Sequence, residues 1–392
     1  MDHTIKVLLN FDKRSKRRSS KILCYQENIK DHRSFRLANG AGSLTKRVLI
    51  LLISSGIFFV LSTFVYGNWS SVPPPHVGMS WVTNSVYFTS SGEGWAAGID
   101  YENHRGVLLH CSGGVWNSDF TPLVSTDWIL NSVHFTSSGE GWAVGGDNAN
   151  RKGILLHYSG GIWSSVTPPP VSPDWKLNSV YFTSPGEGWA VGANDANGTG
   201  VLLHYSDGKW SSVVPPSVSS YWGLTNVHFT SPGEGWAVGG DNAHRKGILL
   251  HYSSGIWSSV PPPPVSPDWK LNSVHFASTG EGWAVGADKA NGIGVMLHYS
   301  KGAWSSDIPP SGGMYWLLNS VHFTSPGEGW AVGSGGKSGR GMLLHYSDGK
   351  WISVMPPSVS SYWGLTNVHF TASGEGWAVG FDGVHNKGVL IH

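Results

Sequence analysis

The stretch Gly139-Glu140-Gly141-Trp142-Ala143-Val144-Gly145 decides the reading of this chain, because it returns. Its tryptophan stands at Trp95, Trp142, Trp189, Trp236, Trp283, Trp330 and Trp377, each in the motif GEGWA and each 47 residues from the last. Two further series keep the same period. One is Trp69, Trp116, Trp163, Trp210, Trp257, Trp304 and Trp351, and the other is Trp81, Trp128, Trp175, Trp222, Trp269, Trp316 and Trp363. Together the three series account for all 21 tryptophans. A fixed period in this range, with no insertions, marks one supersecondary unit stacked on itself rather than two ordinary domains.

Each unit reads as four short strands, for example Leu130 to Thr136, Gly141 to Gly145, Gly153 to Ser159 and Ile162 to Val166. The runs are β-branched and aromatic, they are bounded by Gly, Ser, Pro and Asn, and no segment has helical period. Four strands in a unit of this length make a propeller blade, so the expectation is an all-β, seven-bladed β-propeller of four-stranded blades. Such a ring must be closed, or its end blades expose a sheet edge. The last unit stops at His392, at the end of its third strand, while an orphan fourth strand, Asn68 to Val72, precedes the first complete unit. This strand is expected to complete blade seven beside Gly388 to His392.

The GEGWAVG and GxLLHYSxGxW pattern over residues 68 to 392 resembles the repeats of photosystem II stability/assembly factor-like propellers, and more distantly the Asp-box repeats of sialidase-type propellers. Ser206-Asp207-Gly208-Lys209-Trp210 and Ser347-Asp348-Gly349-Lys350-Trp351 look like shortened Asp-boxes. The resemblance implies a propeller fold and the role of a protein-interaction or assembly scaffold.

Outside the repeat the chemistry changes. Residues 1–47 carry a net charge of +8 and the remainder −7. An acidic body gives no reason to expect a nucleic-acid partner, which needs clustered Lys and Arg. Immediately after Lys46 and Arg47 comes Val48 to Tyr66, 19 residues without a charge and long enough to cross a bilayer. The basic flank predicts a single-pass signal anchor at 48–66, with residues 1–47 cytoplasmic and a propeller over 67–392 outside the cytoplasm. A signal peptide cleaved near Gly67, releasing the protein, is the alternative, against which the 47-residue basic region is long. Cys24 and Cys111 would then lie on opposite sides of the membrane, and Cys111 occupies a slot that holds Tyr158, Tyr205 and Tyr252 in other units, which predicts packing.

The turns between strands one and two and between three and four are tight, whereas the loops between strands two and three and the blade connectors are longer and more varied. Function sits on such loops over a rigid scaffold. The second-to-third loops repeat an oxygen ligand at Asp100, Asp147, Asn194, Asp241, Asp288 and Asp382, which either holds calcium or merely suits the turn. The third tryptophan series, beside Asp127, Asp174 or Asp268, is the candidate ligand-binding set: Trp81, Trp128, Trp175, Trp222, Trp269, Trp316 and Trp363 on the rim could stack a sugar or a proline-rich peptide. The alternative is that these indoles cap the junction between neighbouring blades.

Two histidine series are also periodic, His110 to His392 and His134, His228, His275, His322 and His369. A 47-residue spacing distributes them one per blade, so hydrogen bonding inside each blade is expected rather than a metal or catalytic cluster. Glu93, Glu140 and their equivalents read as turn residues. Sialidase chemistry would need converging arginines, but the body holds only Arg105, Arg151, Arg245 and Arg340, all in second-to-third loops. No enzyme, cofactor or metal is therefore expected. The leading reading is a non-catalytic scaffold for a protein partner, the alternative a multivalent lectin in which seven like sites supply avidity, and a glycosidase comes last.

Overall fold

The computed structural model describes residues 69–310, 315–335, 339–371 and 373–392. The basic tail, the apolar segment 48–66, Cys24 and Asn68 lie outside the described residues. No helix among the described residues is long and apolar enough to cross a membrane.

Seven four-stranded antiparallel sheets follow one another along the chain, each a blade with its strands in sequence order. Blade two is representative, with strands Trp128–Phe135, Gly141–Asp147, Lys152–Ser159 and Ile162–Val166. The first strand begins two residues before the expected Leu130, because the Trp128 N–H already donates to the carbonyl of His104 in the preceding blade, at 3.0 Å. Blade seven takes its fourth strand from the other end of the body. Ser71 pairs with Ile391 and Val72 with Leu390, and Ser70 exchanges two backbone bonds with His392 at 2.7 and 2.9 Å. Trp69 packs edge-on against Trp330 and Phe370, with ring centroids 5.4 and 5.8 Å away.

The core lies between blades. Trp142, from GEGW of blade two, sits in one apolar cluster with Trp175, Phe182 and Trp210 of blade three, and the same arrangement recurs around the ring. Cys111 is fully buried in the cluster shared by blades one and seven, and burial pushes its thiol up to about 11, so it is a packing residue.

Each first strand carries a β-bulge at the same place, between Leu130 and Ser132 in blade two. A bulge leaves one residue unpaired and re-aims its side chain. That residue, Asn131, donates from Nδ2 to the carbonyl of Leu177 in blade three at 2.8 Å. Asn84, Asn178, Thr225, Asn272 and Asn319 repeat the bond, and Thr366 completes the circle on Thr83. One residue later the next side chain accepts a backbone N–H of the following blade: Ser85 from Val133, Ser132 from Val180, and so on to Asn367 from Val86. Two closed rings of hydrogen bonds therefore stitch the innermost strands.

Candidate functional site

The connector face is built on buried carboxylates. Asp147, at the end of the second strand, accepts from Ser125 Oγ of the blade connector at 2.7 Å, and from the Asn150 N–H and amide at 3.0 and 2.8 Å. Burial alone would raise its pKa, but these hydrogen bonds and nearby Lys152 outweigh that and hold the carboxyl below its ordinary range. Asp241 and Asp382 repeat the arrangement with Ser219 and Ser360, and with His244 and His385. In these three blades the aspartate thus clips its loop to the connector. No group of three or more His, Cys, Asp or Glu among the described residues is placed to hold a metal ion.

The third tryptophan series occupies blade junctions. Trp81, Trp128, Trp175, Trp222, Trp269, Trp316 and Trp363 are 1 to 5% exposed. Each indole lies against a glycine that opens the third strand of the preceding blade. A Cβ added at Gly153 would stand 2.2 Å from the Trp175 ring, and Gly106, Gly200, Gly247, Gly294, Gly341 and Gly388 face their tryptophans in the same way. An indole in such a socket offers no face for a sugar or a proline to stack on, so the rim placement read from the sequence gives way to junction capping. What hid this is that the socket is another blade's glycine, 22 residues upstream of the tryptophan it receives.

Immediately before each of these tryptophans the junction is varied. The residue two places before the glycine socket is left-handed in all seven blades, with φ from 51° to 67°. Three junctions pair it with an aspartate: His104 with Asp127 at 3.9 Å, Arg151 with Asp174, and Arg245 with Asp268 at 2.5 Å. Three others place Gly198, Gly292 and Gly339 beneath Tyr221, Tyr315 and Tyr362, whose rings stand where a glycine Cβ would be. At the seventh, Asn386 and Ser80 hold these two positions, and the Trp81 N–H donates to the Asn386 carbonyl at 2.9 Å. The candidate residues Asp127, Asp174 and Asp268 are therefore junction partners.

What this face exposes instead is Tyr221, Tyr315 and Tyr362, at 47, 59 and 54%. Between blades four and five it also has a cleft of about 230 Å³ lined by Arg245, Asp268, Trp269, Lys270 and Lys289 among others. Arg245 is spent on Asp268, whereas neither Lys270 nor Lys289 is in an ion pair among the described residues. Burial and the charge of Lys289 both lower the Lys270 pKa. Asp241 also lines the cleft, so its three cations and two carboxylates leave it one positive charge in excess; neither the exposed tyrosines nor the unpaired lysines carried a signal in the sequence.

On the opposite, tight-turn face, the glutamates of GEGW do more than turn the chain. His110 Nε2 donates to Glu93 at 2.7 Å, His204 to Glu187 at 2.6 Å and His345 to Glu328 at 2.5 Å, and His251 bonds Glu234. The same imidazoles stack on the GEGW tryptophans, for instance His204 on Trp189 with centroids 4.3 Å apart. This is the within-blade hydrogen bonding expected for that series.

The other histidine series behaves differently. His134, His228, His275, His322 and His369 share one register of the innermost strands with Tyr87 and Tyr181, and the seven rings form a closed belt. Neighbouring centroids are 4.3 to 4.8 Å apart all the way round, and neighbouring planes meet at 44° to 57°. One-seventh of a turn is about 51°, so each ring is related to the next by one blade's step around the channel of the propeller. Spacing by 47 residues does not keep these imidazoles apart; it gathers them on the axis. Burial drives their pKa values far down, to about 3 for His134 and His228 and about 4 for His322, with His322 and His134 adding to the effect at His228.

No family model and no curated protein matches the chain. Among solved structures it is similar to YCF48 bound to D1 peptide, with a TM-score of 0.59 and 19% identity over 84% of this chain and 96% of that one. YCF48 from Cyanidioschyzon merolae gives 0.58 and 18% over 83% and 98%. A catalytically inactive virginiamycin B lyase from Staphylococcus aureus with quinupristin gives 0.62 and 13% over 83% and 98%. At these identities the likeness is one of fold, and the fold is the one the repeat resemblance implies.

Proposed function

We propose that the propeller is a non-catalytic scaffold that docks an extended, carboxylate-bearing segment of a partner protein on its connector face. The observation that carries this reading is the pairing of unspent cation with exposed aromatic surface there: Lys270 and Lys289 beside Arg245–Asp268, with Tyr221, Tyr315 and Tyr362 along the same rim. Lysine attracts the carboxylates and tyrosine supplies rigid, amphipathic contact area. A similar propeller has been solved with a peptide, which supports the mode without identifying the partner. Tethering through residues 48–66, with the propeller outside the cytoplasm, belongs to the same proposal and rests on the apolar segment and its basic flank.

A photo-crosslinking residue at Tyr315 and, in a second protein, at Val115 on the tight-turn face tests the docking. One defined protein captured at Tyr315 only, and lost in Lys270→Glu/Lys289→Glu, is expected. Equal capture from both faces sinks the proposal. A specific hit on a glycan array with no cross-linked protein would replace it with the lectin reading.

A further inference from the structure

We propose that the aromatic belt is a binding site for one small oxyanion held on the propeller axis. A heptagon with sides of 4.3 to 4.8 Å has a radius of about 5 Å, so the rings surround a narrow lumen. The hydrogen-bonding sense of two of the five imidazoles is set by the wall. The Phe323 N–H donates to His275 Nδ1, and the Phe88 N–H to His369 Nδ1, both at 3.3 Å. Nδ1 of His134, His228 and His322 is likewise buried against the wall, without a partner. A neutral imidazole that accepts at Nδ1, as His275 and His369 do, carries its proton on Nε2. In the proposed site the Nε2–H groups are the donors turned to the lumen.

Nothing in the belt answers those donors. The rings that face the five imidazoles are one another, Tyr87, Tyr181, and Phe182, Phe276 and Phe370, with no carboxylate among them. A cation finds no acceptor there, and direct metal coordination at ~2 Å cannot be reached from donors about 4 Å off the axis. That same radius decides between anions. A halide on the axis would lie about 4 Å from every Nε2, beyond hydrogen-bond range, whereas an oxygen about 2.8 Å from Nε2 stands roughly 1 Å from the axis, where the oxygens of a small oxyanion lie. Donors fixed in place by a packed ring are pre-organised for such a ligand. Bound negative charge would also favour protonation of the imidazoles, so binding takes up protons and strengthens as the pH falls. The site is independent of partner docking on the connector face.

Calorimetric titration of the full chain with inorganic sulfate, and separately phosphate, at pH 7 and pH 6 tests the site. Saturable binding of one ion, tighter at pH 6 and accompanied by proton uptake, is expected. His275→Phe/His322→Phe keeps two aromatic rings but removes two donors, and should weaken binding about a hundredfold. His228→Tyr copies the residue already present at Tyr87 and Tyr181, and reports on the belt should the double Phe variant fail to fold; it should remain folded and bind more weakly than the parent. Lys270→Gln/Lys289→Gln, in the cleft, should bind like the parent. No binding by the parent, unchanged binding by the belt variants, or loss only in the lysine variant would each overturn the assignment.

Discussion

Thr366 Oγ1 lies 2.7 Å from the carbonyl oxygen of Thr83, a hydrogen bond that spans 283 residues of sequence and closes the innermost ring of the propeller. The same hydroxyl is 3.0 Å from the Val379 carbonyl within its own blade. Thr225 makes the equivalent contacts inside the ring, with Leu271 and Val238. Thr366→Val should therefore cost about 1 to 3 kcal/mol in urea unfolding, as expected where a part-buried acceptor loses its donor, and Thr225→Val should cost the same. A silent Thr366→Val beside a costly Thr225→Val would mean that the seam is not stitched like the other junctions.

The outer seam is the short pairing of Ser71–Val72 with Leu390 and Ile391, backed by Trp69. Deleting residues 69–72 exposes the edge of the third strand and uncovers Trp330 and Phe370. Such a protein should melt lower and associate through the open edge, which sedimentation would show. Moving the strand to follow His392 should restore a stable monomer, because only the covalent connection changes.

Trp236 is 3% exposed between blades four and five, stacked on Phe276 and edge-on to Trp304. Trp236→Ala should cost about 3 to 5 kcal/mol. Asn242→Ala, on the exposed loop, should stay within about 0.5 kcal/mol. Thermal melts of the pair give the contrast, and a stable Trp236→Ala would contradict burial between blades.

The two junction chemistries should be exchangeable only as pairs. Gly198→Arg alone drives a side chain into the Tyr221 ring. With Tyr221→Asp it recreates the neighbouring Arg151–Asp174 junction. The double variant is expected to recover most of the stability lost by the first, and additive costs in a double-mutant cycle would show that the two positions do not communicate.

The belt makes the fold sensitive to acid. The folded pKa values of His134, His228 and His322 lie at about 3 to 4, against about 6.5 in an unfolded chain. Those of His275 and His369 are also well below it. Above about pH 6.5 neither state is protonated there and the belt adds no pH dependence. Below it the unfolded chain takes up protons that the folded chain refuses, so stability falls as pH falls towards 4, by about 1.4 kcal/mol per pH unit for each histidine. Urea midpoints between pH 7 and pH 5 should drop steeply, and His228→Phe should remove about one-fifth of the slope. An unchanged slope would place the titrating groups elsewhere.

The third tryptophan series shows where reading the chain fell short. The sequence reading leaves Trp175 in the blade connector, whereas the first strand of blade three begins with it, and an exposed and a buried indole have the same spacing in sequence. Its burial depends on Gly153 of another blade. Tyr221 and its two counterparts carried no signal as single residues. They become visible only beside Gly198, Gly292 and Gly339, because the left-handed turn must drop its side chain to make room for the ring.

By itself the sequence determined the blade: a 47-residue period, four strands, seven copies and a spare strand at one end to complete the other. Local β-propensity, turn residues and the need to satisfy a sheet edge suffice for that. Only the tertiary structure decided what lies at the centre. A period says which position of a blade a residue holds, not its distance from the axis, and the bulge between Leu130 and Ser132 resets the strand's alternation so that His134, and not Val133 or Phe135, turns inward. Seven repetitions of that one offset bring side chains 47 residues apart in sequence to centroid distances of 4.3 to 4.8 Å.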